Sequence, residues 1–311
     1  ASGTTSQGVS SVAIGTQAGN ATQAAESIAI GYTAGQTNQG TRSVAIGYIA
    51  GNATQSAHSV AIGESAGQYT QKASSVAIGF NAANNQQATR SVAIGVDSGR
   101  TLQTASCVSI GDTSAYDTQG TKSVAIGFSS GKYKQGVGSG AGTGSAIAIG
   151  NNAGLGTTLI GQGTNAIAIG TDAGSVAQGT DTIAIGSSCG VTSQATLCVA
   201  IGKEAGNTTQ GTNSVAIGNT SGKYNQGKGT GSGTGGAIAI GNGAGVGSTL
   251  VGQDSNAIAI GSGAGATVQG TNSVAIGLNA GATSQSGQSI AIGELSGNLN
   301  QGSSCVAIGN Q

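Results

Sequence analysis

A five-residue phrase, Ser-Val-Ala-Ile-Gly or a near variant, begins at residues 11, 27, 43, 59, 75, 91, 107 and 123, in a constant 16-residue step. It begins again at 146, 166, 182, 198, 214, 237, 257, 273, 289 and 305, so 18 copies fill the 311-residue chain. A short, sustained period marks a stacked-repeat architecture, in which no repeat has a core of its own and each borrows one from its neighbours. Sixteen residues cannot hold a strand, a helix and a return, so each repeat is one coil of strands and turns. The prediction is an all-β fold: a parallel β-solenoid (β-roll) of about 18 16-residue coils, with two pairs of lengthened coils. It is expected to run as one continuous array over residues 1–311. At the spacing of hydrogen-bonded strands, that array would be on the order of 85 Å long.

The copies align with one another. With the first residue of the phrase as position 1, position 2 is always Val or Ile, position 4 always Ile and position 5 always Gly. Position 3 is Ala in every copy but one, Ser109; position 8 is Ala, Ser or, once, Cys189; and position 9 is Gly except at Ala83 and Ala115. Gln stands four residues before most copies, as at Gln23, Gln39, Gln55, Gln71 and Gln87. Alternation over positions 2 to 4 has the period of a strand. The glycines can turn the chain at positive φ. Parallel stacking lays like on like, so Val and Ile are expected in inner columns and Gln either in an amide ladder or in a solvated surface column. The constant Ala then has two readings. Either it faces a second protomer or a laterally packed neighbour, or it lies inside a narrow two-sided core.

Composition removes several functions. Only 6% of residues are charged and the net charge is zero, which removes the electrostatic case for nucleic acid. No apolar run is long enough to span a bilayer, and no membrane insertion is expected. His58 is the only histidine, so a Ser-His-Asp triad and a multi-His metal centre are both out of reach. The carboxylates fall at variable positions and form no fixed pair, and no catalytic residue, metal or cofactor is expected. A faint P-loop echo at 127–132 and 218–223 has the wrong spacing. The four Cys (107, 189, 198 and 305) follow no metal or disulfide pattern and leave the redox compartment open.

Repeats such as Asn213-Ser-Val-Ala-Ile-Gly218 and Asn272-Ser-Val-Ala-Ile-Gly277 resemble the head repeats of YadA-like trimeric autotransporter adhesins. That resemblance implies a left-handed parallel β-roll, assembly as a trimer, and binding to host matrix or surfaces. The family's usual coil is shorter than the 16-residue coil here, and no neck, stalk or anchor is visible.

A longer, 91-residue period overlies the short one from 123 to 311. Its marks are the insertions Gly138–Gly144 and Gly229–Gly235, and the shorter ones Thr157–Ile160 and Ser248–Val251. Insertions in solenoids map to loops and often to binding faces. Lys132, Tyr133 and Lys134, with Lys223, Tyr224 and Lys228, are therefore the candidate surface-binding residues, for a polyanion or glycan. Asn20, Asn52, Asn207 and Asn219 fit the N-glycosylation sequon.

The function expected is an extracellular or surface structural fibre, not an enzyme, that self-associates head to tail, in lateral bundles or as a trimer. The partial coils at the two ends suggest head-to-tail joining by strand addition. The alternatives are an adhesin head, or a viral or phage fibre, that contacts a glycan or host surface, and an ice-binding solenoid. Thermal hysteresis would separate the last of these from the others.

Overall fold

A computed structural model describes residues 5–137, 144–227 and 235–310. It divides into two compact units, Ala1–Thr164 and Asn165–Gln311. Among the described residues, each unit carries nine three-residue strands at positions 2 to 4, from Val12–Ile14 to Ile147–Ile149 in the first and from Ile167–Ile169 to Val306–Ile308 in the second. Among those residues there is no helix.

Within each unit the strands pair in parallel with like opposite like: Ala29 against Ala45, Ala45 against Ala61, Ala61 against Ala77. The register survives a lengthened coil, since Val124 pairs with Ile147 and Val215 with Ile238. The extra residues of these coils therefore do not shift the register of the stack. A second wall of two-residue strands runs from Thr22–Gln23 to Thr118–Gln119 in the first unit and recurs at Ser193–Gln194 and Thr209–Gln210 in the second. Each unit is thus a flattened β-solenoid with a long wall and a short wall.

The faces of the long wall are opposite to expectation. Ala at position 3 is fully buried, as at Ala29, Ala45, Ala61 and Ala77, while Val and Ile at positions 2 and 4 are only half-buried and point outward. The inner columns are Ala at positions 3 and 8 and Gln at position 13, the last of which supplies the largest fully buried side chains. The reason is space. A Gln reaching across the coil to the long wall leaves room only for methyl groups there, so the larger aliphatics occupy the outer face. Of the two readings of the constant Ala, the narrow two-sided core is the one observed.

Glycine at position 5 makes the first corner with φ between +119° and +132°. Two further corners use the left-handed region mostly without glycine, the exceptions being Gly236, Gly243 and Gly263. The residue before each copy is one of them, as in Glu26 (φ 57°), Arg42 (φ 55°) and His58 (φ 60°); position 7 is the other, as in Thr33 (φ 49°) and Ile49 (φ 58°). Left-handed geometry costs an L-residue about 1–2 kcal/mol. The parallel ladder above and below each corner holds it there: Arg42 N–H donates to Ala25 O at 3.1 Å and Ile49 N–H to Tyr32 O at 2.9 Å.

Candidate functional site

The constant polar positions form the interior. Gln55 Nε2 donates across its own coil to Val44 O at 2.8 Å, to Ser59 O at 3.3 Å, and to Gln71 Oε1 in the next coil at 3.1 Å. The same side-chain link continues from Gln39 through Gln55, Gln71, Gln87, Gln103 and Gln119 to Gln135 at 3.0–3.2 Å. In the second unit it joins Gln226, Gln253 and Gln269. The amide ladder is therefore the reading of the Gln column that holds. It ties the short wall to the long wall and each coil to the next.

Position 1 is a small, mostly buried residue, Ala at 146, 166, 237 and 257 and most often Ser elsewhere, and where it carries a donor it can bond the backbone near the end of its own coil. Ser43 Oγ–H donates to Ser56 O at 2.8 Å and Ser59 Oγ–H to Lys72 O at 2.9 Å. Cys107 and Cys198 stand in for that serine, donating to Gly120 O at 3.0 Å and Gly211 O at 2.9 Å. The exceptional Ser109 belongs to a buried hydroxyl cluster with Ser98 (2.7 Å between oxygens) and donates to Ser114 O at 2.8 Å. Burial pushes the thiols of Cys107 and Cys198 up, and that of Cys189 up to about 12. The thiolate is the reactive form, so these three should be inert. Ellman's reagent should titrate one thiol per native chain, the exposed Cys305, and four in guanidinium. Two or more fast native thiols would contradict the burial.

The surface residues singled out from sequence fall into unlike settings. Lys132 Nζ lies 5.3 Å from the centre of the Tyr133 ring and 5.8 Å from that of Tyr116. From the coil on the other side, Arg100 Cζ stands 5.2 Å from the Tyr116 ring, and its Nη1 donates to Tyr116 Oη at 2.6 Å. Asp97 is 3.6 Å from Arg100 Nε. Arg100, Tyr116 and Lys132 are thus one column of alternating cation and ring, whose cation–π contacts contribute about 0.5–1 kcal/mol each at exposed sites. Arg100 and Tyr116 were not singled out from sequence, although they lie two and one 16-residue steps before Lys132.

Lys134 reaches the backbone of the Thr157–Ile160 loop, at Leu159 O (3.5 Å). Lys223 sits 5.1 Å from the Tyr224 ring and pairs with Glu204 at 2.5 Å. That hydrogen bond holds the Glu204 carboxyl below its ordinary range and the Lys223 ammonium above its own. Lys228, and most of the Gly138–Gly144 and Gly229–Gly235 insertions, lie outside the described residues.

Three of the sequon asparagines, Asn20, Asn52 and Asn207, share position 10. At two of them the amide bonds the preceding coil's left-handed corner: Asn52 Nδ2 donates to Thr33 O at 3.0 Å and Asn207 Nδ2 to Ser188 O at 2.7 Å. Asn219 is exposed, and its Nδ2 donates to Asn242 Oδ1 at 3.1 Å. Among the described residues no group of three or more His, Cys, Asp or Glu could hold a metal ion.

A family model described as "YadA head domain repeat (2 copies)" matches residues 162–188, 199–221, 255–280 and 269–296. No curated protein matches, and no solved structure matches.

Proposed function

We propose that this chain, which carries YadA-type head repeats, is part of an extracellular fibre on a cell or virion surface, an adhesin-like structural element rather than an enzyme. The carrying observation is the outer face of the long wall. In each unit nine strands present Val and Ile outward, half-exposed and in continuous register. A contiguous apolar face of this kind marks an association surface. Covering it with further copies of the chain would satisfy it, and the resemblance makes a trimer the expected assembly. The fold leaves side chains at the corners and on the short wall free to vary. The Arg100–Tyr116–Lys132–Tyr133 cluster is the proposed place of contact with a glycan or host surface.

Light scattering on the purified chain tests the association. The expected mass is a multiple of 29.2 kDa, with three chains the first choice. Ile62→Asp combined with Ile78→Asp should lower it toward one chain while the β circular dichroism persists, because both side chains lie outside the coil. A wild-type protein running as a single chain would remove the proposal's basis.

A further inference from the structure

The two short insertions build the same object twice. In the first unit Thr157 closes a tight turn: its Oγ1 accepts from Ile160 N at 2.9 Å and from Leu159 N at 3.3 Å. In the second unit Ser248 does the same, with Val251 N at 3.2 Å and Leu250 N at 3.3 Å. The base is clamped to the preceding coil. A Cβ on Gly161 would collide with Lys134 O, and one on Gly252 would collide with Tyr224 O. Asn225 Nδ2 pins the second turn through Ser248 O at 3.0 Å and Thr249 O at 3.1 Å. What each turn holds out is apolar: Leu159 is 83% and Leu250 90% exposed, with Ile160 and Val251 beside them. A pre-ordered turn loses little conformational entropy on docking. These are rigid apolar fingers.

The first unit also carries a matching recess. A shallow, mainly apolar groove of about 320 Å³ on the outside of the short wall is lined by Thr70, Lys72, Gln86, Ala88, Leu102 and Thr104. It exists because Ala88 is shorter than Lys72 and Thr104, its neighbours one coil away on either side, and because Leu102 stands where Thr is usual. The groove is on the wall opposite the Val/Ile face. The finger at Leu250 leaves the chain just before Gln253, a member of the short-wall Gln column, so in its unit it too departs from the wall opposite that face.

We propose that the Leu250–Val251 finger of one chain docks in the Leu102–Ala88 groove of a second copy, joining fibres side by side. Charge chooses between the fingers. The groove is rimmed by Lys72. Lys134 Nζ reaches Leu159 O and would repel that rim, whereas at the Leu250 finger Asn225 stands in its place and Lys223 is paired with Glu204. A finger on one surface and a recess on another make a heterologous contact that does not close on itself and propagates into larger assemblies. The contact deepens the fibre reading above and rests on it for its setting, yet the two can fail separately.

Sedimentation velocity over a concentration series tests it. Wild type should form species larger than the oligomer held by the Val/Ile face, and Leu250→Asp should weaken this growth about tenfold or more. Leu102→Lys should act likewise, and Leu159→Asp should leave it unchanged. The basic oligomer should persist in all three, and the thermal midpoint in the two finger variants, because the finger side chains are already in water. In a Cys305→Ser background, Leu102→Cys with Leu250→Cys should give interchain disulfides on oxidation, while Leu102→Cys with Leu159→Cys should not. The proposal is overturned by wild type showing no growth beyond the basic oligomer, by equal effects at Leu159 and Leu250, or by equal cross-linking of the two cysteine pairs. If Ile62→Asp with Ile78→Asp abolishes the basic oligomer but leaves growth sensitive to Leu250→Asp, the groove contact stands and only its fibre setting changes.

Discussion

Replacing Gln71 by Leu should lower the stability of its unit by about 3–5 kcal/mol, although Leu is apolar and close in size. Gln71 is fully buried. Its Nε2 donates to Val60 O at 2.8 Å, Ser75 O at 3.3 Å and Gln87 Oε1 at 3.0 Å, and its Oε1 accepts from Gln55 at 3.1 Å. Leucine would orphan acceptors on three sides and one donor, each lost partner costing about 1–3 kcal/mol where water cannot enter. The measurement is the denaturant midpoint followed by circular dichroism. A loss under about 1 kcal/mol would mean that the ladder is dispensable.

Gln71→Glu adds a pH signature. A carboxyl here faces carbonyl oxygens, and burial raises its pKa above the unfolded value of about 4.3. A raised acid pKa means that the folded state binds the extra proton. Its stability is therefore retained below about pH 4 and falls as pH rises through the folded pKa. The variant should be more stable at pH 4 than at pH 8, a difference additional to any in the wild type.

The columns were legible in the sequence for a physical reason: parallel stacking in register exposes each position to copies of itself, so the chain contains its own alignment. That logic located the strands at positions 2 to 4, the corner glycines and the Gln ladder. It failed on which side of the long wall is inside, because side-chain size points to one face and constancy to the other. Val and Ile exchange freely at position 2 because that face is outside, whereas Ala29 and its equivalents cannot grow against a Gln from the opposite wall. Ser109 carried the same message, since its hydroxyl has partners inside the coil, the Ser98 hydroxyl and the Ser114 carbonyl. The surface was less readable. Lys132 and Tyr133 stood out as a local cluster, but their partners Arg100 and Tyr116 are distant in sequence and adjacent only through the 16-residue step. The Thr157–Ile160 insertion announced a loop. That its leucine points outward depends on a hydroxyl-closed turn and on a glycine pressed against Lys134 O, which spacing does not reveal.

Of the glycine columns, position 5 should tolerate nothing, and the chain supplies the control. Gly79 has φ +128°, and a Cβ added there would lie 2.5 Å from Gly95 O and 2.8 Å from Gly95 C, both backbone atoms of the next coil. That neighbour cannot retreat. Gly95 N–H donates to Ile78 O at 2.8 Å, so moving it breaks the rung beside the clash. Gly79→Ala should therefore cost about 3 kcal/mol or more, with pairing lost on both sides of the corner. Gly67 at position 9 differs in kind. Its φ is +54°, and its added Cβ would meet the Gln71 side-chain Cδ at 3.1 Å, a neighbour that can yield by a few tenths of an ångström. Alanine already occupies that position at Ala83 (φ 47°) and Ala115 (φ 45°). Gly67→Ala should cost about 1 kcal/mol, the ordinary cost of a left-handed alanine. The two variants lie in successive coils of one unit, so one pair of melting curves decides. Equal losses would show that positive φ alone governs these corners, and a much larger loss at Gly79 would show that coil-to-coil backbone contact does.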